Sequence, residues 1–380
     1  MYIKTLVLGG GVVGLSSAYV ILAKQKEPKH LVLIEKEKYI GSHSSARNSE
    51  VIHAGLYYKN GSKKAEMCVR GRRLLYRYLD HRNINHRRCG KWVIATTSEE
   101  EIKLHELLTN GHINDVEGLS LLTPAQVQAE ETWLRCEGGA LYSVHTGIVD
   151  SHHLMKSLRR DIVDFGGDII TQHEVYKVEA RAQGGFIVWV KHSEDDSFRI
   201  ECDQLINATG LWGGMWWNHL GEHSAHQLYT RYALGRYWQL QGKSPTNRLI
   251  YPLPEAGGLG IHLTIDLQGR ARFGPDVKWL NITSADQLGS TLDYSVPWDS
   301  REHFVETITQ YWPRLPVASL IPDYAGMRVK VRRDDQTMND FQLLGPHQHG
   351  VEGLVHLLGI ESPGLTSALA IGDWVSQQLR

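Results

Sequence analysis

The chain has 380 residues, enough for two or three domains that each bury a hydrophobic core. Its 41 Lys and Arg residues balance 42 Asp and Glu residues, and 42% of the residues are hydrophobic. The balanced charge argues against a nucleic-acid-binding protein, whose surface would be basic, and the hydrophobic content excludes a disordered chain.

The first 35 residues carry the pattern of a dinucleotide-binding unit. An apolar strand leads into a glycine-rich motif at 9–14, apolar residues at helical spacing and a second apolar strand at 31–34. Glu35 ends that strand, at the spacing from the motif at which an acid accepts hydrogen bonds from a ribose. We therefore interpret the uncharged stretch 6–23 as strand, turn and buried helix, not as a membrane span.

The glycines of the motif predict contact with phosphates. Gly9 allows a tight turn, Gly11 lets the backbone approach a pyrophosphate, and Gly14 lets the helix pack on the strand. Backbone N–H groups at the start of the helix, at Val12 and Val13, would face the negative charge. The motif alone does not separate NAD from FAD.

The segment that follows Glu35 is small and polar, then aromatic, which suits a chain laid along a bound cofactor. Its stretch 45–58, SARNSEVIHAGLYY, resembles the L-2-hydroxyglutarate dehydrogenase branch of the D-amino-acid-oxidase superfamily of FAD-dependent oxidoreductases. Further segments are similar to that branch along most of the chain: HTGIVD at 145–150, LINATG at 205–210, IYPLP at 250–254, GIHLT at 260–264, DYAGMR at 323–328 and GIESPGLTS at 359–367.

The resemblance implies that FAD is the cofactor and that residues beyond the glycine motif contact it. A strand at 354–358, a turn at 359–364 and a helix at 365–379 predict a second helix N-terminus that faces the flavin. The further residues expected to bind the cofactor are Lys36, Ser44, Ser45, Arg47, Asn48, Ser49, Val175, Ala208, Thr209, Gly210, Ser362, Pro363, Gly364, Leu365 and Thr366.

The resemblance also implies an α/β fold in which a Rossmann-like FAD-binding domain is interleaved with a substrate domain built on a mixed or antiparallel sheet. Local patterns agree, with an amphipathic helix at 151–165 followed by strands at 168–171, 174–180 and 186–191. We expect the FAD-binding domain to comprise residues 1–85, 146–215 and 319–380, and the substrate domain to comprise residues 86–145 and 216–318.

Oxidation of a 2-hydroxy acid requires a cation for the carboxylate and a base near the hydroxyl. Arg328 is the first candidate for the carboxylate, because a guanidinium binds both oxygens and the resemblance places the substrate carboxylate at this position. A surface arginine among basic neighbours is the alternative. Val329 stands where that branch is expected to carry proline, which predicts a looser turn around Arg328.

His53 and His262 are the candidate bases, since histidine titrates near neutral pH. His53 lies in the cofactor-lining segment and His262 lies in an apolar strand, and for each of them a hydrogen-bonded core histidine is the alternative. Additional substrate contacts are expected from Tyr57, Tyr58, Arg236 and Tyr237.

The sequence therefore predicts FAD-dependent oxidation of a small L-2-hydroxy acid, with L-2-hydroxyglutarate as the leading substrate and hydride transfer from its Cα to flavin N5. A quinone, an electron-transfer protein or oxygen would accept the electrons. The alternatives are an amino-acid or amine oxidase of the same superfamily and, outside enzymes, a non-catalytic flavoprotein or redox sensor.

No metal, nucleic-acid partner or transmembrane segment is expected. His219, His223 and His226 share a helical spacing, but no acid or cysteine completes a metal site with them. The four cysteines form no C-x-x-C pair, which favours a reducing compartment. A cytoplasmic location is expected, with mitochondrial import as the alternative.

Overall fold

The computed structural model describes residues 1–24, 30–193, 196–220, 228–253, 260–282, 287–289, 292–333 and 336–379. The strands are β1 (Tyr2–Leu8), β2 (Leu31–Ile34), β3 (Val51–Ile52), β4 (His86–Arg87), β5 (Lys91–Ile94), β6 (Leu119–Leu122), β7 (Ala140–Ser143), β8 (Gly147–Val149), β9 (Asp168–Ile170), β10 (Glu174–Ala180), β11 (Phe186–Ser193), β12 (Asp196–Asn207), β13 (Leu228–Leu240), β14 (Leu249–Pro252), β15 (His262–Ile265), β16 (Ala271–Gly274), β17 (Lys278–Leu280), β18 (Leu320–Arg333), β19 (Gln336–Met338), β20 (Gln342–Leu344) and β21 (Leu354–Leu358). The helices are α1 (Val12–Ala23), α2 (Lys63–Arg82), α3 (Glu101–Ile113), α4 (Pro124–Glu130), α5 (Ser151–Asp164), α6 (Gly213–Leu220), α7 (Arg301–Tyr311), α8 (Pro346–His349) and α9 (Gly364–Gln378).

The first sheet has a parallel centre in the order β9-β2-β1-β12-β21; β20 pairs antiparallel with β21, and β11 pairs antiparallel with β12 and with β10. Its strands β2 and β21 are buried along their whole length, as expected for parallel strands that are covered on both faces. Helices α1, α2, α5 and α9 contribute to the core that packs on it, and α9 contacts both α1 and α2. The predicted strand, glycine turn and helix at the N-terminus are confirmed.

The second sheet is mixed and runs β19-β18-β13-β16-β15-β14-β5-β7-β6, with β17 also paired to β13. Only β14 and β5 pair in parallel among its described strands, so the predicted mixed or antiparallel character is confirmed. Helix α7 contributes to the core beneath it, where Trp238, Phe273 and Phe304 are fully buried. A small third sheet has the order β3-β8-β4. In sequence, its strands fall where the chain passes from the first sheet to the second, at β3 and β4, and where it returns, at β8.

The sheet pairing of residues 320–333 differs from one predicted domain boundary. Residues 319–380 were expected in the FAD-binding domain, but β18 pairs with β13 from Leu320 to Arg333 and therefore belongs to the second sheet. Its alternate side chains, such as Met327 and Val329, are buried against that sheet's own apolar cluster, which explains the pairing. The chain returns to the first sheet only at β20 and β21. The other boundaries stay predictions.

Candidate active site

The turn after β1 is so tight that two of its positions accept only glycine. Gly9 has a φ of +102°, and a Cβ there would lie 2.5 Å from the carbonyl oxygen of Ala208. A Cβ on Gly14 would lie 2.0 Å from the carbonyl oxygen of Gly9. Helix α1 therefore starts in close contact with the ends of β1 and β12, at the carboxyl edge of the parallel strands where α/β proteins bind ligands.

A cavity begins at this turn and contains about 1070 Å³ of empty space, counting the part that is open to solvent. Many of the predicted cofactor residues line it: Gly9, Gly11, Val13, Glu35, Lys36, Ser44, Ser45, Val175, Ala208, Thr209 and Gly210. The sequence analysis missed other residues of its wall, which come from distant segments: His43, His173, Trp212, Met215, Trp216, Val329, Leu357 and Ile360.

Glu35 places a buried carboxylate on the wall of this cavity. Its two oxygens accept hydrogen bonds from the backbone N–H groups of Gly10, at 2.7 Å, and Glu37, at 2.8 Å. A carboxylate oxygen has two acceptor positions, so each keeps one for a ligand hydroxyl. Beside it, the Lys36 ammonium lies 3.0 Å from the centroid of the Trp212 ring.

The donor set of the cavity fits FAD. The N-terminus of α1 offers backbone N–H groups to a pyrophosphate, and the glycine turn leaves no side chain in the way. The Glu35 carboxylate suits a ribose diol, and Ile34, Val175 and Trp212 provide an apolar wall for an adenine.

The polar segment after Glu35 connects the first sheet to β18. The Ser45 hydroxyl accepts a hydrogen bond from the Val12 N–H at 3.0 Å, at the start of α1. The Ser44 hydroxyl donates to the carbonyl oxygen of Met327 at 2.8 Å. This segment therefore holds the strand that carries Arg328 at a fixed position relative to the nucleotide turn.

A second close approach fixes the same junction. A Cβ on Gly326 would lie 2.0 Å from the carbonyl oxygen of Arg47, so the two backbones touch only because residue 326 is glycine. The Tyr324 hydroxyl donates to the carbonyl oxygen of Asn48 at 2.6 Å. The Arg47 side chain has an aromatic partner, because its guanidinium lies 4.1 Å from the centroid of the Tyr294 ring.

Residues 362–366 lie beside His53 and not on the wall of the nucleotide cavity. Helix α9 begins at Gly364, directly after Ser362 and Pro363. The His53 N–H donates to the Thr366 hydroxyl at 3.0 Å, and His53 Nε2 lies 3.2 Å from the Ser362 Oγ. Leu365 packs against the core of the first sheet. The start of α9 is thus tied to the cofactor-lining segment through His53.

Arg328 lies within β18, opposite Ala233 of β13. The turn predicted around it is therefore absent: β18 runs on through Val329, whose side chain is buried. The Arg328 side chain is half-buried, and within the described ranges its guanidinium makes no hydrogen bond or ion pair. An unpaired, partly buried guanidinium is available to bind an anion.

Glu361, which the sequence analysis missed, holds two lysines next to this region. The Lys64 ammonium contacts its carboxylate at 2.8 Å, and Lys330 contacts the same oxygen. Burial favours the neutral acid, but the charges of Lys64, Lys330 and Arg328 outweigh it and keep the pKa of Glu361 below its ordinary value. Three cations and one carboxylate leave a local excess of positive charge.

His53 is close enough to two cations for both to influence its ionisation. Burial, followed by the charges of Lys91 and Arg328, lowers the pKa of His53 to about 3. The imidazole is therefore neutral at physiological pH, and one of its ring nitrogens can accept a proton.

Aromatic rings surround these groups. Tyr237 stacks on Tyr324 with centroids 4.6 Å apart, and Tyr251 stacks on His262 at 3.6 Å. Burial raises the pKa of Tyr237 to about 12 and raises that of Tyr58 as well, so both hydroxyls stay protonated at physiological pH. His262 is thus buried face to face on a tyrosine, whereas His53 lies between the cations.

Lys91 is the residue that the sequence analysis missed most clearly. It is the first residue of β5 and only 1% exposed. Its ammonium lies 4.7 Å from the ring centroids of both Tyr57 and Tyr251. Burial lowers the pKa of Lys91 to about 7. No local signal marks a lysine that begins an apolar strand as a buried charge.

Arg236 was expected to contact the substrate, and the structure places it in an ion pair with Asp276. Its guanidinium donates from Nε at 2.7 Å to the buried carboxylate of Asp276, whose other oxygen accepts the Arg236 N–H, also at 2.7 Å. A guanidinium held in this way by a buried acid has a structural partner already. Its neighbour Tyr237 lies on the opposite face of β13, close enough to Arg328 for that charge to act on its hydroxyl. Tyr237 therefore stays a candidate for substrate contact.

The histidines with helical spacing cannot be assessed as a set. His223 and His226 lie outside the described residues, as does the side chain of His219. Across the part of the chain that the structure describes, no group of three or more His, Cys, Asp or Glu side chains could hold a metal ion. Within the same part, none of the helices is long and apolar enough to cross a membrane.

Comparisons with known proteins cover the whole chain. A family model described as FAD dependent oxidoreductase matches residues 4–378. The chain is 36% identical to the mitochondrial L-2-hydroxyglutarate dehydrogenase of Arabidopsis thaliana over 409 residues, which cover 99% of this chain and 83% of that protein. It is 28% identical to the L-2-hydroxyglutarate dehydrogenase of Indibacter alkaliphilus over 409 residues, covering 99% of this chain and 98% of that protein.

Solved structures with the same fold extend over equally large parts of the chain. The L-alpha-glycerophosphate oxidase of Mycoplasma pneumoniae, solved with FAD bound, matches with a TM-score of 0.84 at 22% identity, covering 100% of this chain and 95% of that one. The glycine oxidase of Geobacillus kaustophilus matches with a TM-score of 0.79 at 18% identity, covering 100% and 94%. The predicted fold class is confirmed.

Proposed function

Because the chain belongs to the family of FAD dependent oxidoreductases, we propose that it catalyses the oxidation of L-2-hydroxyglutarate to 2-oxoglutarate. The observation that carries this proposal is the similarity to L-2-hydroxyglutarate dehydrogenases along 99% of the chain. The site supports it, because unpaired cations next to a neutral histidine suit an anionic hydroxy acid.

We propose that FAD binds along the cavity that starts at the glycine turn. The N-terminus of α1 would hold the pyrophosphate and Glu35 the ribose, with Ser45 and Lys36 on the same wall. When bound, FAD supplies at its N5 the acceptor for the hydride that leaves the substrate Cα.

Arg328 would bind the carboxylate next to the reacting carbon. Its guanidinium has no other partner within the described ranges, and a bidentate pair with a carboxylate fixes the orientation of the substrate as well as its position. The contacts of Ser44 with Met327 and of Arg47 with Gly326 would hold that guanidinium in place relative to the cofactor.

His53 would accept the proton of the substrate hydroxyl. The imidazole is neutral, as a base must be, because burial and two neighbouring cations disfavour its protonation. Binding of an anionic substrate offsets those positive charges and so raises the pKa of His53, while the larger effect of burial stays. The base therefore becomes stronger only when its substrate is present.

His262 would have a different task. Its ring is stacked on Tyr251 at 3.6 Å, an arrangement that orients the tyrosine ring and leaves His262 buried. We therefore favour His53 over His262 as the base.

Turnover requires a second electron acceptor, for which we propose a quinone, an electron-transfer protein or oxygen. We also propose a reducing compartment, in the first place the cytoplasm, because Cys68, Cys89, Cys136 and Cys202 are all thiols. Turnover rates with each acceptor and fractionation of the source cells test these two points.

The proposed function is tested by steady-state turnover of the purified holoenzyme with an artificial electron acceptor. L-2-Hydroxyglutarate, its D-isomer, L-lactate and L-glutamate are compared, and 2-oxoglutarate is quantified as product. We expect turnover with the L-isomer, with one 2-oxoglutarate formed per two electrons transferred. Turnover with amino acids alone would replace the proposal by the amino-acid oxidase alternative.

A further inference from the structure

Lys91 is a buried ammonium without an anion. Its side chain is 1% exposed, and within the described residues it forms neither a hydrogen bond nor an ion pair. Its ammonium faces the rings of Tyr57 and Tyr251. The Nζ atom lies 4.7 Å from the centroid of each ring. Two ring faces offset only part of the lost hydration of an ammonium, so the free protein carries an uncompensated charge here.

A second polar group at the same place lacks a partner. The Tyr57 hydroxyl is buried and has no hydrogen-bond partner in the described structure. Burial raises the pKa of Tyr57, so this hydroxyl stays protonated and can donate. A buried ammonium and a buried hydroxyl that both donate and lack an acceptor suit the binding of an anion.

Among the residues that the structure describes, no titratable group that faces Lys91 supplies that anion. Burial raises the pKa of Cys68 to about 12 and also raises that of Tyr251, so both are neutral at physiological pH. His53 is neutral as well, with a pKa of about 3. A bound anion would therefore balance the charge of the protonated Lys91.

The position of Lys91 indicates what kind of molecule this is. His53, the proposed base, is influenced by the charges of both Lys91 and Arg328. The two cations therefore lie on different elements, β5 and β18, around the same imidazole. A ligand with a carboxylate at each end satisfies both cations while its hydroxyl faces His53.

We propose that Lys91 and the Tyr57 hydroxyl form a subsite for the distal carboxylate of the substrate, and that this subsite selects dicarboxylic over monocarboxylic 2-hydroxy acids. The inference rests on the proposed function, because it places the reacting end of the substrate at Arg328 and His53. It adds the two residues, Lys91 and Tyr57, that determine the preference for a dicarboxylate.

The test compares two substrates in holoenzyme variants. L-2-Hydroxypentanoate has the same carbon chain as L-2-hydroxyglutarate, but a methyl group replaces the distal carboxylate. The variants are Lys91→Met, Tyr57→Phe and, as a matched control, Lys156→Met on the exposed side of α5. FAD content is measured for each variant, so that loss of the cofactor is separated from loss of substrate recognition.

In Lys91→Met, we expect kcat/KM for L-2-hydroxyglutarate to fall about 100-fold, mainly through KM, because one partner of a buried charge pair is removed. For L-2-hydroxypentanoate, kcat/KM should stay within about threefold, since that substrate never used the ammonium. Tyr57→Phe should lower kcat/KM by about tenfold for the dicarboxylate only, because one hydrogen bond to a charged group is lost. Equal losses on both substrates, or an unchanged preference for the dicarboxylate, would overturn the subsite.

A holoenzyme that oxidises no 2-hydroxy acid would refute the proposed function without deciding on the subsite, which a binding experiment then tests. Glutarate carries both carboxylates and no hydroxyl, and its binding is followed by the shift of the flavin spectrum. Weakening of the glutarate Kd by about 100-fold in Lys91→Met supports the subsite. An unchanged Kd overturns it.

Discussion

Replacement of Lys91 by methionine should stabilise the folded protein, although it lowers kcat/KM for L-2-hydroxyglutarate. Lys91 has a pKa lowered to about 7 in the folded protein by burial, against an ordinary value of 10.5. The unfolded chain therefore binds the proton more tightly than the folded one, and the charge opposes folding. Methionine has a similar length and no charge, so Lys91→Met removes this penalty and keeps most of the packing around Tyr57 and Tyr251.

The size and pH dependence of the effect follow from the two pKa values. Below about pH 7 the lysine is charged in both states, and the penalty is complete, at about 5 kcal/mol. Between about pH 7 and 10.5 the folded state loses its proton first, and at pH 9 about 2 kcal/mol is left. For a chain of this length, the melting temperature should rise by about 6 °C at pH 6 and by about 2–3 °C at pH 9.

The assay is thermal unfolding of the holoenzyme at both pH values with the same excess of FAD. Lys156→Met is the control, because Lys156 lies on the exposed side of α5 and its replacement should change stability by no more than about 0.5 kcal/mol. A Lys91→Met variant that is less stable than the parent at pH 6, or a gain that does not shrink at pH 9, would refute a buried unpaired ammonium.

Four further predictions concern the other parts of the site. Arg328→Lys should lower kcat/KM for L-2-hydroxyglutarate by about 100-fold with unchanged FAD content. A parallel loss of kcat/KM and FAD content would show that the guanidinium does not bind the substrate. His53→Gln should lower kcat by about 10²–10⁴-fold at nearly constant KM, and a loss below tenfold would exclude His53 as the base. Gly14→Ala should abolish FAD retention, because its Cβ would lie 2.0 Å from the carbonyl oxygen of Gly9, and full FAD content in the purified variant would contradict that steric limit. In the parent enzyme, kcat/KM should fall as the pH rises above about 7, where Lys91 loses its charge, and the fall should vanish in Lys91→Met.

Local signals were sufficient for the nucleotide-binding part of the fold. The glycine motif at 9–14, the apolar strands around it and Glu35 each follow from contacts within about 35 residues of sequence, and the structure has them as expected. The closing strand and helix follow from the same kind of pattern. Such elements are predictable because their periodicity and turn residues are determined locally.

The site depends instead on pairings between distant segments. Nothing near Arg328 shows that β18 pairs with β13 over its whole length, which places this arginine in a strand and not in a turn. Arg236 carries no mark of its ion pair with Asp276, because three strands, β14, β15 and β16, separate them along the chain. Lys91 and Glu361 were missed for the same reason, since each is defined by what the fold packs around it.

The most direct test of the central claim is anaerobic addition of L-2-hydroxyglutarate to the purified holoenzyme while the absorbance band of the oxidised flavin is recorded. The account predicts that one equivalent of the L-isomer bleaches the band and yields one equivalent of 2-oxoglutarate, whereas the D-isomer leaves the band unchanged. A band that the L-isomer does not bleach, in protein that holds its full complement of FAD, would contradict the proposed function.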